Sequence, residues 1–185
     1  LKGEARGDID SLSKRGDVYL ATASFGQGIS VTPVQMAAAV GAIANQGKFM
    51  QPYVVDELRK ANGARLVTNP TMVREVISKR AATLLSGMMV SVVERGHGKR
   101  AGVPGYFVAG KTGTAQIPRT DGKGYETGET IGTFVGFAPV EDPKFVMLTR
   151  IDRPKDVQFA ESSAAPLFGA IARFLLQYFE INPTR

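Results

Sequence analysis

The chain has 185 residues, 43% of them apolar and 22% charged, a balance that supports one sizeable core and argues against disorder. It has no Cys and a single His, His97, which excludes disulfides, thiolate nucleophiles and Cys- or His-rich metal sites. Lys and Arg number 23 against 17 Asp and Glu, and the net charge of +6 suits an anionic partner without choosing among carboxylates, polyanions and phosphates.

Residues 1–16 are polar and Gly-bearing and read as loop. Val18 to Ala21 is a short apolar stretch that no pattern classifies, and Gly26-Gln27-Gly28 breaks any regular element after it. The first firm element starts at Thr32, where Thr32-Pro33-Val34-Gln35 fits a capping box with Pro at the first helical position. Met36, Val40, Ile43 and Ala44 continue at helical spacing, and Gly47 stands where a C-terminal Gly belongs. Tyr53 to Leu58 reads as a strand, Asn62-Gly63 as a type I′ hairpin turn and Ala64 to Thr68 as the returning strand, a peripheral hairpin over residues 53–68. Ser78 opens a second helix to about Glu94, with Leu84, Leu85, Met88 and Val92 as its core-facing stripe. Tyr106 to Ala109, Ile131 to Ala138 and Lys144 to Ile151 read as strands, with a polar, Gly-rich loop over 118–130 and a tight turn at Glu141-Asp142-Pro143. A last helix runs from Glu161 to Phe179 with Leu167, Ile171, Phe174, Leu175 and Tyr178 along one face. Helices, then strands, then a helix predict an α+β fold, an antiparallel sheet packed between helices. No repeat or second domain divides residues 1–185.

The chemically richest segment is Gly105 to Thr114. Gly105 to Thr112 satisfies G-x-x-x-x-G-K-T, the phosphate-cradling loop. That motif needs a strand before its first Gly and a helix from its Lys, whereas Tyr106 to Ala109 are strand formers and Gly113, Pro118, Gly122 and Gly124 follow. A phosphate or nucleic-acid binder is thus a remote alternative; Phe134 and Phe137 have no RNA-binding motif around them. Lys111-Thr112-Gly113 also matches the K-T-G element of the penicillin-recognising serine enzymes, whose set is S-x-x-K, S-x-N and K-T-G. On a strand, Lys111 and Gly113 share one face and Thr112 and Thr114 the other, unless a twist or bulge at Gly113 brings all three side chains to one cleft. Gly113 lets a substrate approach the backbone, and a free strand edge can hold an extended peptide.

Around it the chain strongly resembles the class B penicillin-binding proteins. The matching segments run in order: Ala23 to Pro33 (ASFGQGISVTP), Ala44 to Lys48 (ANQGK), Val108 to Gln116 (VAGKTGTAQ), Phe134 to Pro139 (FVGFAP) and Ala164-Ala165-Pro166. Gly96-His97-Gly98 departs from the family's Gly-Thr-Gly type of stretch. The resemblance implies a β-lactamase/transpeptidase-like fold and a serine D,D-transpeptidase that cross-links peptidoglycan stem peptides and is acylated by β-lactams, with no cofactor or metal. It implies that Lys111 and Thr114 are catalytic and that Thr112, Gly113 and Thr114 bind the carboxylate of D-Ala-D-Ala or a β-lactam, with the Thr114 N–H in the oxyanion hole.

Two of the three motifs are missing. S-x-N does not occur, and the single S-x-x-K, Ser11-Leu12-Ser13-Lys14, lies among Asp8, Asp10, Arg15, Gly16 and Asp17 with no apolar helix face. The start, Leu1-Lys2-Gly3-Glu4, lacks Met and reads as the interior of a longer protein. The resemblance therefore implies the C-terminal portion of one transpeptidase domain, with three of five sheet strands and a bare edge at the Lys144–Ile151 strand. Its expected partners are the N-terminal half of the domain, stem peptides, β-lactams and, through the bare surfaces, a second copy, with no nucleic acid. The parent is expected outside the cytoplasmic membrane on an N-terminal anchor that this chain does not include. A non-catalytic β-lactam-binding sensor or scaffold of the same superfamily is the alternative.

Overall fold

The computed structural model describes Leu1 and residues 3–185. A short 3-10 turn, Asp10–Ser13, precedes helix α1 (Asp17–Ser24), so the segments read as loop and left unclassified both hold helical structure. Backbone bonds between Asp8 and Ser30 close this arm on itself.

Helix α2 (Pro33–Ala44) starts as the sequence dictates. The Thr32 hydroxyl accepts from the Gln35 N–H and the Gln35 side chain accepts from the Thr32 N–H. Beyond it, β1 (Lys48–Met50) pairs antiparallel with β4 (Met72–Glu75), a ribbon that the sequence reading lacks. Between them stands the hairpin β2 (Glu57–Arg59) and β3 (Arg65–Val67). Its turn is not type I′: of the Asn62-Gly63 pair only Gly63 has positive φ, +83°, and its N–H bonds the Lys60 carbonyl. A type I turn closed by a left-handed Gly gives a longer loop and shorter strands than expected.

Helix α3 (Lys79–Arg95), capped by Ser78, leads into the sheet β5 (Ala109–Pro118), β6 (Tyr125–Ala138) and β7 (Phe145–Asp152), all antiparallel in that spatial order. Two strand readings are corrected. A turn at Pro104-Gly105 and irregular backbone through Val108 delay the strand to Ala109, while residues 125–130 belong to β6 rather than to a loop. Those polar residues are strand because β5 pairs them, with Thr130 opposite Gln116. The turn at 141–143 joins β6 to β7 as predicted.

Helix α4 (Ala164–Tyr178) covers one face of the sheet, with Phe134, Phe168, Val108 and Leu176 completely buried between them. The Phe134 and Phe168 rings lie 4.7 Å apart. Phe134 fits because Gly110 has no side chain; a Cβ there would sit 2.3 Å from its ring. On the opposite face α2 and α3 pack over Val135 and Phe137, with Val40, Met36 and Met89. The sheet thus lies between helix layers, as the α+β reading predicts.

The helix faces are a correction. On α4 the buried residues are Ala164, Ala165, Phe168, Gly169, Ala172 and Leu176, while Leu167, Phe174 and Tyr178 of the predicted stripe are exposed. On α3 Ala82 and Val93 are buried, and Leu84 and Met88 are exposed. Close approach explains the choice on α4. A Cβ on Gly169 would stand 2.7 Å from the Arg100 carbonyl, so only the small-residue face allows this contact. The apolar outer stripe of α4 and the outer edge of β7 are left without partners among the described residues. Among those residues no helix is long and apolar enough to cross a membrane.

Candidate active site: the K-T-G strand

Lys111, Thr112, Gly113 and Thr114 all lie on β5, which pairs with β6 alone among the described residues. The pairing runs unbroken from Ala109 opposite Phe137 to Gln116 opposite Thr130, with the first register shift only beyond Gln116. Gly113 therefore carries no bulge. Side chains alternate, and the convergence of all three on one cleft through a bulge at Gly113 does not occur. Thr112 shares the α4 face with its partner Phe134, while Lys111 shares the α2/α3 face with Val135.

Gly113 has a steric reason as well. The Thr133 hydroxyl donates to the Gly113 carbonyl at 3.2 Å and fills the space of a side chain, since a Cβ at 113 would lie 2.6 Å from that oxygen. Lys111 is exposed, and its ammonium donates to the Thr112 carbonyl at 2.8 Å. Among the described residues it has no acidic partner, so it stands as positive charge at the strand edge. Thr112 is half-buried and Thr114 exposed. The Thr114 hydroxyl accepts a 3.1 Å bond from the Ala160 N–H, in the connection from β7 to α4.

The other sequence candidates fall elsewhere. Ser11 donates its hydroxyl proton to the Gly28 carbonyl at 2.7 Å, and Lys14 lies over the Tyr19 ring. They form no Ser–Lys pair on a helix. The phosphate-loop reading fails too. Gly105 sits in a turn whose carbonyl accepts from Thr184 and Arg185 N–H groups, and Lys111 is mid-strand with no helix start beside it. His97 is an exposed loop residue, and its Nδ1 lies 2.5 Å from Glu161 Oε2.

The sequence reading missed the ties around Thr114. Arg153 holds Glu126 through two bonds of 2.9 and 3.0 Å and reaches Glu129 at 3.8 Å, linking the β7 end to β6. The Glu126 carboxylate raises the Arg153 pKa, and the hydrogen-bonded Arg150 guanidinium lowers that of Asp152. No local pattern in the sequence signals the pairing of Arg153 with a residue 27 positions away.

The family described as penicillin binding protein transpeptidase domain matches residues 1–173. Stage V sporulation protein D of Bacillus subtilis is 39% identical over 188 residues, which cover 100% of this chain and 29% of that protein. Peptidoglycan D,D-transpeptidase FtsI of Escherichia coli is 30% identical, over 99% of this chain and 29% of its own length. The chain thus spans less than a third of the curated relatives it matches. Among solved structures, penicillin-binding protein 3 of Mycobacterium tuberculosis in its apo form superposes with a TM-score of 0.88 at 32% identity, over 99% of this chain and 43% of that one. Structures of that protein with aztreonam and with ampicillin match as well. The transpeptidase domain of Burkholderia pseudomallei penicillin-binding protein 3 matches with a TM-score of 0.81 at 30% identity, and this chain covers 99% of itself and 53% of that domain. Family, relatives and fold converge, and the chain belongs to the penicillin-binding protein transpeptidase family.

Proposed function

We propose that this chain is the C-terminal portion of a serine D,D-transpeptidase domain of class B type, and that its K-T-G strand forms one wall of the acyl-transfer cleft. The observation that carries the reading is the strand itself. Lys111 to Thr114 occupy a regular strand whose outer edge is unpaired among the described residues, inside a chain whose fold matches a protein also solved with two β-lactams.

In the proposed reaction a serine from the rest of the domain attacks the penultimate D-Ala carbonyl of a stem peptide, and terminal D-Ala leaves with the proton returned to its amine. An amine of a neighbouring stem then displaces the serine oxygen, completing the cross-link. A β-lactam takes the place of the D-Ala-D-Ala end and leaves the serine acylated. Lys111 supplies positive potential beside the nucleophile, Thr112 and Thr114 hydroxyls donate to the substrate carboxylate, and Gly113 keeps the backbone open to it. The Thr114 N–H serves as an oxyanion donor, a contact worth about 3 kcal/mol of barrier elsewhere.

The bare outer edge of β7 and the outer stripe of α4 fit a second part of the same domain, since the chain covers 53% of the isolated Burkholderia domain. Without that part the chain supplies no S-x-N and no helical S-x-x-K, so it is expected to be inactive alone. The parent works outside the cytoplasmic membrane, where peptidoglycan is built. The test is acylation of the full-length protein by a fluorescent penicillin, with Lys111→Ala and Thr114→Val as variants. Labelling that both variants reduce at least tenfold supports the reading; labelling untouched by both overturns it. A full-length protein that binds penicillin but releases no D-Ala from a stem pentapeptide is the sensor rather than the enzyme.

A further inference from the structure

The connection from β7 to α4 crosses the sheet instead of turning back directly. It leaves β7 at Asp152, passes over β6 at Thr130 and Gly132 and over β5 at Thr114 on the α4 face, and enters the helix at Ala164. That takes 11 intervening residues where connections in compact domains have a median of roughly 4–6. Each crossing is tied. The Arg153 N–H bonds the Thr130 carbonyl at 2.9 Å, and the Thr130 hydroxyl donates to the Gln158 carbonyl at 2.8 Å. Ala160 is 1% exposed, its carbonyl accepts from Ala165, and its N–H donates to the Thr114 hydroxyl. Gly132, opposite Thr114 in the register, makes room for this, because a Cβ there would stand 2.5 Å from Ser163 Oγ and 3.3 Å from Ala160 Cα.

The direction of the last bond carries the consequence. A hydroxyl has one proton to give and two lone pairs. At Thr114 one lone pair is taken by a fixed backbone donor, and among the described residues no acceptor stands within hydrogen-bond distance of its proton. The hydroxyl accepts from inside the protein and donates outward. Accepting a bond also polarises its O–H, and bonds to an ionised acceptor are the strong ones. An ionised carboxylate only accepts, so it matches this arrangement.

Building on the carboxylate role of Thr114 above, we propose that residues 153–160 form a strap that fixes the Thr114 hydroxyl as a donor to an anionic substrate group, with Thr130 as the positioning residue that anchors the strap. Thr130 touches no substrate. It is 5% exposed, lies two residues from Gly132 on the same face of β6, and holds the strap through Gln158, two residues before Ala160. The Arg153 pairs with Glu126 and Glu129 hold its other end.

The test uses the full-length protein and compares acylation rates by benzylpenicillin and by its methyl ester, which lacks the anionic group. The ratio of the two rates reads the carboxylate preference, and a general loss of folding lowers both rates together. Thr130→Val is expected to lower the ratio about tenfold, as a charge-assisted bond is weakened, and Thr130→Ser to restore it. Glu126→Gln, an isosteric change at a half-buried residue at the far end of the strap, lowers the ratio in the same direction by a smaller factor and stands in if Thr130→Val does not fold. Thr114→Val collapses the ratio. A ratio that Thr114→Val leaves intact removes the carboxylate reading and the strap with it. A ratio that Thr114→Val collapses but Thr130→Val or Glu126→Gln leaves unchanged overturns the strap alone.

Discussion

The two sides of β5 are held very differently. On the α4 side, Thr114 is bonded to a backbone group 46 residues away, and Thr112 lies beside the buried Phe134 over Gly110. On the other side Lys111 is exposed and bonds only the carbonyl of its own neighbour. The Thr114 side is thus organised by contacts within this chain, while among the described residues the Lys111 ammonium meets only the Thr112 carbonyl. The difference teaches which parts of the strand this chain fixes itself and which, under the proposed reading, await the rest of a domain.

Removing the Phe134 ring attacks the organised side directly. Phe134→Ala empties a fully buried site against Phe168 and is expected to cost about 3–5 kcal/mol, measured by urea denaturation of the domain. Thr114→Val acts on the chemistry of that side. Losing a hydrogen bond to a charged group costs roughly 1.5–3 kcal/mol, a drop of about 10- to 150-fold in acylation by benzylpenicillin, with a lower melting temperature as well because the buried Ala160 N–H loses its acceptor.

Phe174→Glu probes the dependent surfaces. Phe174 is 61% exposed on α4 and stacks on Tyr178, so the substitution should change the stability of this chain by under about 0.5 kcal/mol. In the full-length protein the same change should lower the melting temperature by several degrees, because a second part of the domain then has to bury a carboxylate. Equal, small shifts in both settings would contradict a partner on that stripe.

The smallest effect is electrostatic. Arg185 bonds Glu94 at both oxygens and lowers its carboxyl pKa, holding the chain terminus against α3. A depressed carboxylate contributes stability above its unfolded pKa, about 4.3 for Glu, and loses it as pH falls through the lower folded value. Wild type and Glu94→Gln should therefore differ slightly at pH 7 and converge under acid, with the small size expected of an exposed pair. A melting-temperature series in pH checks it.

What was legible in the sequence is what adjacent residues settle between themselves. Thr32, Pro33 and Gln35 specify the start of α2, and Ser78 that of α3, because caps are local. Apolar runs marked the centres of β6 and β7, and the K-T-G segment was placed by its resemblance. What was hidden depends on partners distant in sequence. Residues 125–130 are strand only because β5 lies beside them, and the helix faces were misread because Gly169 and Ala172 make the closest approach while larger residues stay outside. The strap over Thr114 was invisible for the same reason, since a backbone N–H at Ala160 leaves no mark in sequence.

The most direct measurement is intact mass after incubation of this 185-residue chain with benzylpenicillin, alone and mixed with the remainder of the transpeptidase domain. The account predicts no adduct on this chain in either case, and one penicilloyl group on the complementary part only when the two are mixed. An adduct on this chain alone, at Ser11 or any other serine, would contradict the assignment of β5 as one wall of a cleft whose nucleophile lies elsewhere.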